Sequence, residues 1–242
     1  MDGWAALERW SFDFFREQHG LVEVPVGRLF ERQGTMPLRD YVDYVRDWGT
    51  ENGHPDPSSL PLYADGCFID KGSTLAADFA VPGCLSEIDW FEKYMRSPMG
   101  LGYLLIGPKG SMTKIHIDGQ YSHAWVAQVV GRKKWYIVPF DQLKGAFKAG
   151  YADYIGGYQG MEPPGIEDWP DIESVGYYTA ELDPGDLIVA PSAQFHEVIN
   201  LEDSIALTNN FVDRSNAVQV GWSFLMTKLG LRKDRRAELA PL

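Results

Sequence analysis

Thr113-Lys114-Ile115-His116-Ile117-Asp118, followed by Gly131-Arg132-Lys133-Lys134-Trp135, is the stretch that decides how this chain is read. Both segments have the β-branched and aromatic residues of short strands, with glycine between them. Side chains alternate along a strand, so His116 and Asp118, two residues apart, are expected on one face. The same alternation puts Lys133 on the face opposite to its neighbours Arg132 and Lys134. An imidazole and a carboxylate on one face are two of the three ligands of a 2-His-1-carboxylate iron site, which leaves coordination positions open for co-substrate and dioxygen. His196, at the end of Pro184-Gly185-Asp186-Leu187-Ile188-Val189-Ala190-Pro191-Ser192-Ala193-Gln194-Phe195-His196, is the candidate third ligand. An H-x-D pair arises by chance about 0.4 times in a chain of this composition, and alone it is more often a surface or turn pair than a metal site. The flanking residues therefore carry the assignment.

Those residues also set the fold class. Between Leu101 and Phe140 come the β-rich runs Tyr103-Leu104-Leu105-Ile106, Lys114 to Ile117, Trp125 to Val130 and Trp135 to Val138, separated by Gly and Pro. The pattern resumes from Tyr177 to Leu182 and from Leu187 to Phe211. This predicts a mainly β protein, a double-stranded β-helix (a cupin or jelly-roll barrel). Helices flank it at both termini. Trp4, Leu7, Trp10 and Phe14 recur at near-helical spacing, as do Val42, Val45 and Trp48 after Pro37. Ser86 followed by Asp89 reads as a helix start leading into Trp90 to Tyr94. From Asp213 an apolar stripe of Val218, Trp222, Leu225, Met226 and Leu229 precedes the basic run Arg232, Lys233, Arg235 and Arg236. The expected organisation is one domain over 1–242, with a helical N-terminal part (1–100), a barrel core (101–212) and a C-terminal helix (213–242).

The motif residues, taken with their neighbours, resemble a known family. Gly107-Pro108, Ser111, Thr113, His116-Ile117-Asp118, Ser122, Ala124-Trp125, Gly131, Lys133, Trp135 and Pro139 are similar to the JmjC-type (jumonji, cupin-like) Fe(II)/2-oxoglutarate oxygenases, nearest to the jumonji lysyl-hydroxylase branch. A second block agrees in the right order: Pro184-Gly185-Asp186, His196, Val198-Ile199-Asn200-Leu201 and Ile205 to Phe211. The resemblance implies His116, Asp118 and His196 as ligands of Fe(II). It implies Lys133 as the cation that pairs with the distal carboxylate of 2-oxoglutarate, Thr113 and Thr208 as hydroxyls on the same carboxylate, and Tyr63 as the upstream tyrosine of that pocket. A buried dicarboxylate needs one cation and several neutral donors, and such charge-assisted bonds contribute about 1.5–3 kcal/mol each. Val126 departs from the pattern, standing where many relatives carry an asparagine; valine neither donates nor accepts.

The activity implied is hydroxylation of an aliphatic C–H, consuming dioxygen and 2-oxoglutarate and releasing succinate and carbon dioxide. The substrate is a peptide or protein side chain, or an amino-acid-like small molecule. Two alternatives stand beside it: N-methyl-lysine or N-methyl-arginine demethylation by the same chemistry, and a non-catalytic cupin that only binds. Retention of Asp118 argues against halogenation. A C-terminal helix of this kind suggests a homodimer, by analogy with related oxygenases.

Composition excludes some partners. With 22 basic against 34 acidic residues and a net charge of −12, the chain has no cationic surface to neutralise phosphates, so nucleic acid is not expected as a partner, whereas a cationic peptide or amine is compatible. No stretch approaches 18 apolar residues and the N-terminus has no signal pattern, so no membrane contact is expected. Cys67 and Cys84 lack zinc-ligand spacing and read as ordinary thiols of a cytoplasmic protein. The segment from Lys144 to Ile172, rich in Gly and Pro, is expected to form a barrel-mouth loop, with Tyr151, Tyr154, Tyr158 and Trp169 either touching substrate or packing the loop. His19 and His54 are expected to face solvent, and His123 to be structural or substrate-facing.

Overall fold

A computed structural model describes residues 1–28, 31–48, 50, 60–95, 101–139, 142 and 176–230. The expected loop from Lys144 to Ile172, the basic run from Arg232 to Arg236, and His54 lie outside the described residues. In chain order the chain forms α1 (Ala6–Arg9), α2 (Phe12–Gln18), β1 (Glu23–Arg28), β2 (Glu31–Pro37), α3 (Leu38–Asp47), β3 (Tyr63–Ile69) and α4 (Gly83–Ser86). The barrel strands follow: β4 (Gly102–Gly107), β5 (Met112–His116), β6 (His123–Val130), β7 (Lys133–Val138), β8 (Tyr178–Leu182), β9 (Leu187–Ala190), β10 (Phe195–Asn200) and β11 (Ser204–Phe211). Helix α5 (Ala217–Lys228) comes after them.

The strands form two antiparallel sheets, β2-β1-β3-β4-β11-β6-β9 and β5-β10-β7-β8. From β4 to β11 the chain moves back and forth between the sheets, staying in one only at β7 to β8. That interleaving is the double-stranded β-helix the strand pattern predicts.

β6 and β11 of the larger sheet are buried on both faces, which explains why β6 reads as a near-continuous apolar run. Alternation sends Trp125, Ala127 and Val129 of β6, with Ile205 and Leu207 of β11, to the side packed by Trp4, Trp10, Phe15, Tyr41 and Val42. Ala124, Val126 and Ala206 face the barrel interior with Trp135, Leu182, Ala190 and Val198. Trp4 and Trp10 are core residues, as their spacing predicts, packed against Phe79 and each within ring contact of a second aromatic. The Trp10 indole donates to Asp78 at 2.9 Å, and Asp78 also pairs with Arg9.

The helical expectation for residues 1–100 is corrected. β1, β2 and β3 lie there and extend the larger sheet. Pro25 and Gly27 disguise β1 as a loop, since a proline inside a run argues against a paired strand. Pro25 is tolerated because β1 pairs with β3 only through Val26 and Gly27, leaving proline outside that ladder. A second correction concerns Ser86, which ends α4. Asp89 is the capping residue, its carboxylate accepting from the Phe91 amide at 2.8 Å at the head of the single π turn Phe91–Met95.

The stripe on α5 faces away from the barrel: Val218, Trp222, Leu225 and Leu229 are exposed, whereas Val220 and Ser223 are buried. No described helix is long and apolar enough to cross a membrane.

Helix α3 is fastened to the sheet by one phenol. The Tyr41 hydroxyl donates toward the carbonyls of Leu62 (3.0 Å) and Ile106 (2.8 Å) and accepts from the Ala64 amide (3.0 Å), with the ring fully buried. Tyr41→Phe strands these backbone groups and is expected to lower unfolding free energy by about 1–3 kcal/mol in urea titrations.

Candidate metal centre and anion pocket

β10 occupies the middle of the smaller sheet, and its pairing assembles the site. His196 lies opposite His116 of β5 on one side and Ile137 of β7 on the other. The two imidazole rings are 4.1 Å apart, centroid to centroid. Asp118 falls just past the end of β5, leading into a 3-10 turn at Gly119–Tyr121, so only His116 of the H-x-D pair is within the strand. Its Oδ1 still lies 3.9 Å from His116 Nε2. One ligand atom each from His116, Asp118 and His196 fall within 4.8 Å of one another. The sequence-predicted triad is thus brought together.

Backbone contacts prepare both histidines for a metal. His116 Nδ1 lies 2.8 Å from the Lys114 carbonyl, and His196 Nδ1 lies 3.2 Å from the Gln194 carbonyl. A carbonyl only accepts, so each Nδ1 must carry the proton, leaving the Nε2 lone pair as ligand. The Trp135 ring stacks on His196 at 5.6 Å and 18°. Asp118 Oδ2 is buried with no hydrogen-bond partner, an orphan acceptor that a cation would satisfy. Two neutral imidazoles and a carboxylate with an unused buried oxygen fit Fe(II).

The second pocket lies along the same strands. Lys133 of β7 pairs with Asn200 of β10, Trp135 with Val198, and Ile137 with His196, so Lys133 and the histidine stand at opposite ends of a short run. Lys133 is fully buried, while Arg132 reaches Glu202 at 2.8 Å outside and Lys134 stacks over Tyr136, as alternation predicts. The Lys133 ammonium donates to the Tyr63 phenol (3.2 Å) and to Asn200 Oδ1. The Thr113 hydroxyl opposes the rise that burial imposes on the same phenol's pKa. Burial pushes the lysine down from 10.5 to about 7, opposed only by the exposed Asp65, and no described carboxylate lies within ion-pair distance of it. Lysines are almost never fully buried unless paired. This pocket presents a cation and hydroxyls with the anion missing, and fits the tail of a dicarboxylate such as 2-oxoglutarate.

Thr208 is placed differently from expectation. It faces the barrel interior, but its hydroxyl donates to the Trp125 carbonyl at 2.7 Å. Its proton is engaged across the β6–β11 ladder and is not offered to a carboxylate. Opposite it stands Val126, buried and without a polar atom in its side chain. Asn200 was missed as a site residue; only the β7–β10 register brings it to Lys133. His123 is structural: its Nδ1 accepts from the Ser192 amide at 2.9 Å, and Nε2 faces Asp213 and Ser215.

Residues 103–211 match the family described as JmjC domain, hydroxylase. The chain thus carries a JmjC domain over these residues. It is 27% identical to the chicken 2-oxoglutarate and iron-dependent oxygenase JMJD4, over 94% of this chain and 56% of that protein. It is 30% identical to the Arabidopsis arginine-specific demethylase JMJ22 over 91% of this chain and 42% of the relative. To the Arabidopsis lysine-specific demethylase JMJ21 it is 28% identical, over 89% and 23%. The JmjC chain therefore spans roughly half or less of the length of these relatives.

The lone ammonium has a measurable signature. At pH below about 7 Lys133 is charged in both folded and unfolded chains, and the folded state bears the full cost of burying it. Between about 7 and 10.5 the unfolded chain holds the proton and the folded chain does not, so stability of the ligand-free protein rises with pH across that window. Lys133→Met removes the charge at similar volume. It is expected to stabilise the ligand-free protein at pH 6 by about 1–4 kcal/mol and to flatten that rise, read by urea titration at several pH values. A variant less stable than the parent at pH 6 would show the ammonium to be fully compensated.

Proposed function

We propose that this chain is an Fe(II)- and 2-oxoglutarate-dependent oxygenase that oxidises an aliphatic C–H on a basic side chain of a peptide or protein. One observation carries the proposal: a His-His-Asp cluster and an unpaired buried ammonium sit at the two ends of one inward run of β7 and β10. In this reading His116, Asp118 and His196 hold the iron, and Lys133, Tyr63 and Thr113 hold the distal carboxylate of 2-oxoglutarate. When bound, the pair would supply four-electron reduction of dioxygen, one oxygen atom going to succinate as 2-oxoglutarate loses carbon dioxide and the other to the substrate C–H.

The chain's own residues do the rest. The Lys114 and Gln194 carbonyls keep the two Nε2 atoms unprotonated, and Trp135 fixes the plane of His196. Lys133 sets the co-substrate's orientation by pinning its far end, and the apolar wall of Ala124, Val126, Ala190 and Ala206 excludes water while leaving room. Thr208 contributes interior shape and an acceptor in place of a donor.

Hydroxylation and N-demethylation share this chemistry and differ in what leaves. Relatives named for lysine- and arginine-specific demethylation support a basic substrate, as does the net charge of −12. Anaerobic Fe(II) plus 2-oxoglutarate should give a visible metal-to-ligand charge-transfer band, abolished by His116→Ala, Asp118→Ala or His196→Ala. In air, succinate formation should rise with lysine- or arginine-rich peptides. Formaldehyde from N-methylated peptides would mark demethylation, and a 16 Da gain on unmethylated ones hydroxylation. No band with the parent protein would defeat the reading.

The outward stripe on α5 supports pairing of two copies. Light scattering at micromolar concentration should give twice the monomer mass, and Trp222→Glu with Leu225→Glu should return the monomer mass. A monomer in the parent would end this part of the proposal.

A further inference from the structure

The ammonium of Lys133 has two direct partners among the described residues, and both are uncharged: the Tyr63 phenol and the Asn200 side-chain oxygen. The orientation of Asn200 is fixed by its other end. Its Nδ2 donates to Ser111 Oγ at 2.7 Å and toward the Gly107 carbonyl at 3.3 Å, while Ser111 donates to the Pro108 carbonyl at 2.6 Å. With both acceptors on the nitrogen side, the amide oxygen must point at the lysine. The surround is closed: a Cβ on Gly107 would lie 2.4 Å from Ser111 Oγ and 2.5 Å from the Tyr63 ring. Asn200 is itself buried.

An amide can hold an ammonium without neutralising it. A carboxylate of the same shape would form an internal ion pair and occupy the charge, whereas an apolar residue would leave the ammonium without an acceptor. We infer that Asn200 is a positioning residue that keeps the Lys133 charge uncommitted, so that preference for a keto acid with a distal carboxylate depends on the neutrality of position 200. This rests on the proposed co-substrate and adds the residue that sets selectivity within it.

The test compares binding of 2-oxoglutarate with that of 2-oxopentanoate, which has the same keto-acid head and no distal carboxylate, on the Mn(II)-loaded full chain by calorimetry. The parent is expected to favour 2-oxoglutarate by about a hundredfold. Asn200→Asp is isosteric and supplies the lysine with an internal counterion. It should erase most of that preference and leave Mn(II) binding unchanged. A residue that mattered only for packing would lower stability and affinity for both keto acids together, leaving their ratio intact.

A parent without preference for 2-oxoglutarate would show the proposed co-substrate to be wrong. A parent with the preference and an Asn200→Asp variant that keeps it would overturn the role of Asn200 alone. Should the aspartate variant not fold, Asn200→Ala decides: it is expected to weaken 2-oxoglutarate about tenfold, more than 2-oxopentanoate. Equal affinity for 2-oxoglutarate in parent and alanine variant would overturn the inference.

Discussion

The register of β10 between β5 and β7 is the constraint on which the site depends. One strand delivers His196 to His116 on one edge and Asn200 to Lys133 on the other. A slip of one residue would turn His196, Val198 and Asn200 to the outer face together, because the side-chain period of a strand is two. The metal cluster and the anion pocket are therefore not separately adjustable. The sheet that carries them is held in place by the larger one, whose β6 and β11 are buried on both faces and cannot shift without exposing Trp125 or Leu207.

The two halves of the site solve opposite electrostatic problems. Around the triad, neutral imidazoles and one carboxylate gather electron pairs with no cation, and Asp118 keeps one oxygen unsatisfied. Around Lys133, a cation has only uncharged direct partners among the described residues. Each half is costly to the folded protein when alone, and each cost is relieved by a ligand carrying the missing charge. A molecule with a chelating head and a carboxylate tail relieves the second and reaches the first.

Much of this was legible in the sequence. The triad followed from a two-residue spacing, a second block downstream and the family resemblance of both, and the inward turn of Lys133 from strand alternation once that resemblance had placed it in the pocket. What escaped has identifiable causes. β1 was hidden by Pro25 and Gly27; Pro25 is harmless because the β1–β3 ladder consists of Val26 and Gly27 and leaves it out. The hydroxyl of Thr208 was read as a donor to ligand because its neighbour in space, the Trp125 carbonyl, is distant in sequence. Asn200 sat in a matching block without an assigned role, since a neutral side chain shows its purpose only when the cation it faces is known. The direction of the α5 stripe depends on which face meets the barrel, and Val220 and Ser223 take that place.

β11 is inserted between β4 and β6, so the larger sheet is not continuous until the last barrel strand arrives. The ladders that close it join segments roughly a hundred residues apart, a topology of high contact order that folds slowly. During synthesis His116 and Asp118 leave the ribosome well before His196, and a pair of ligands without the third holds a divalent metal weakly. The three candidate ligands come together only when β10 has joined β5, so the cluster is a product of tertiary pairing and not of any local segment.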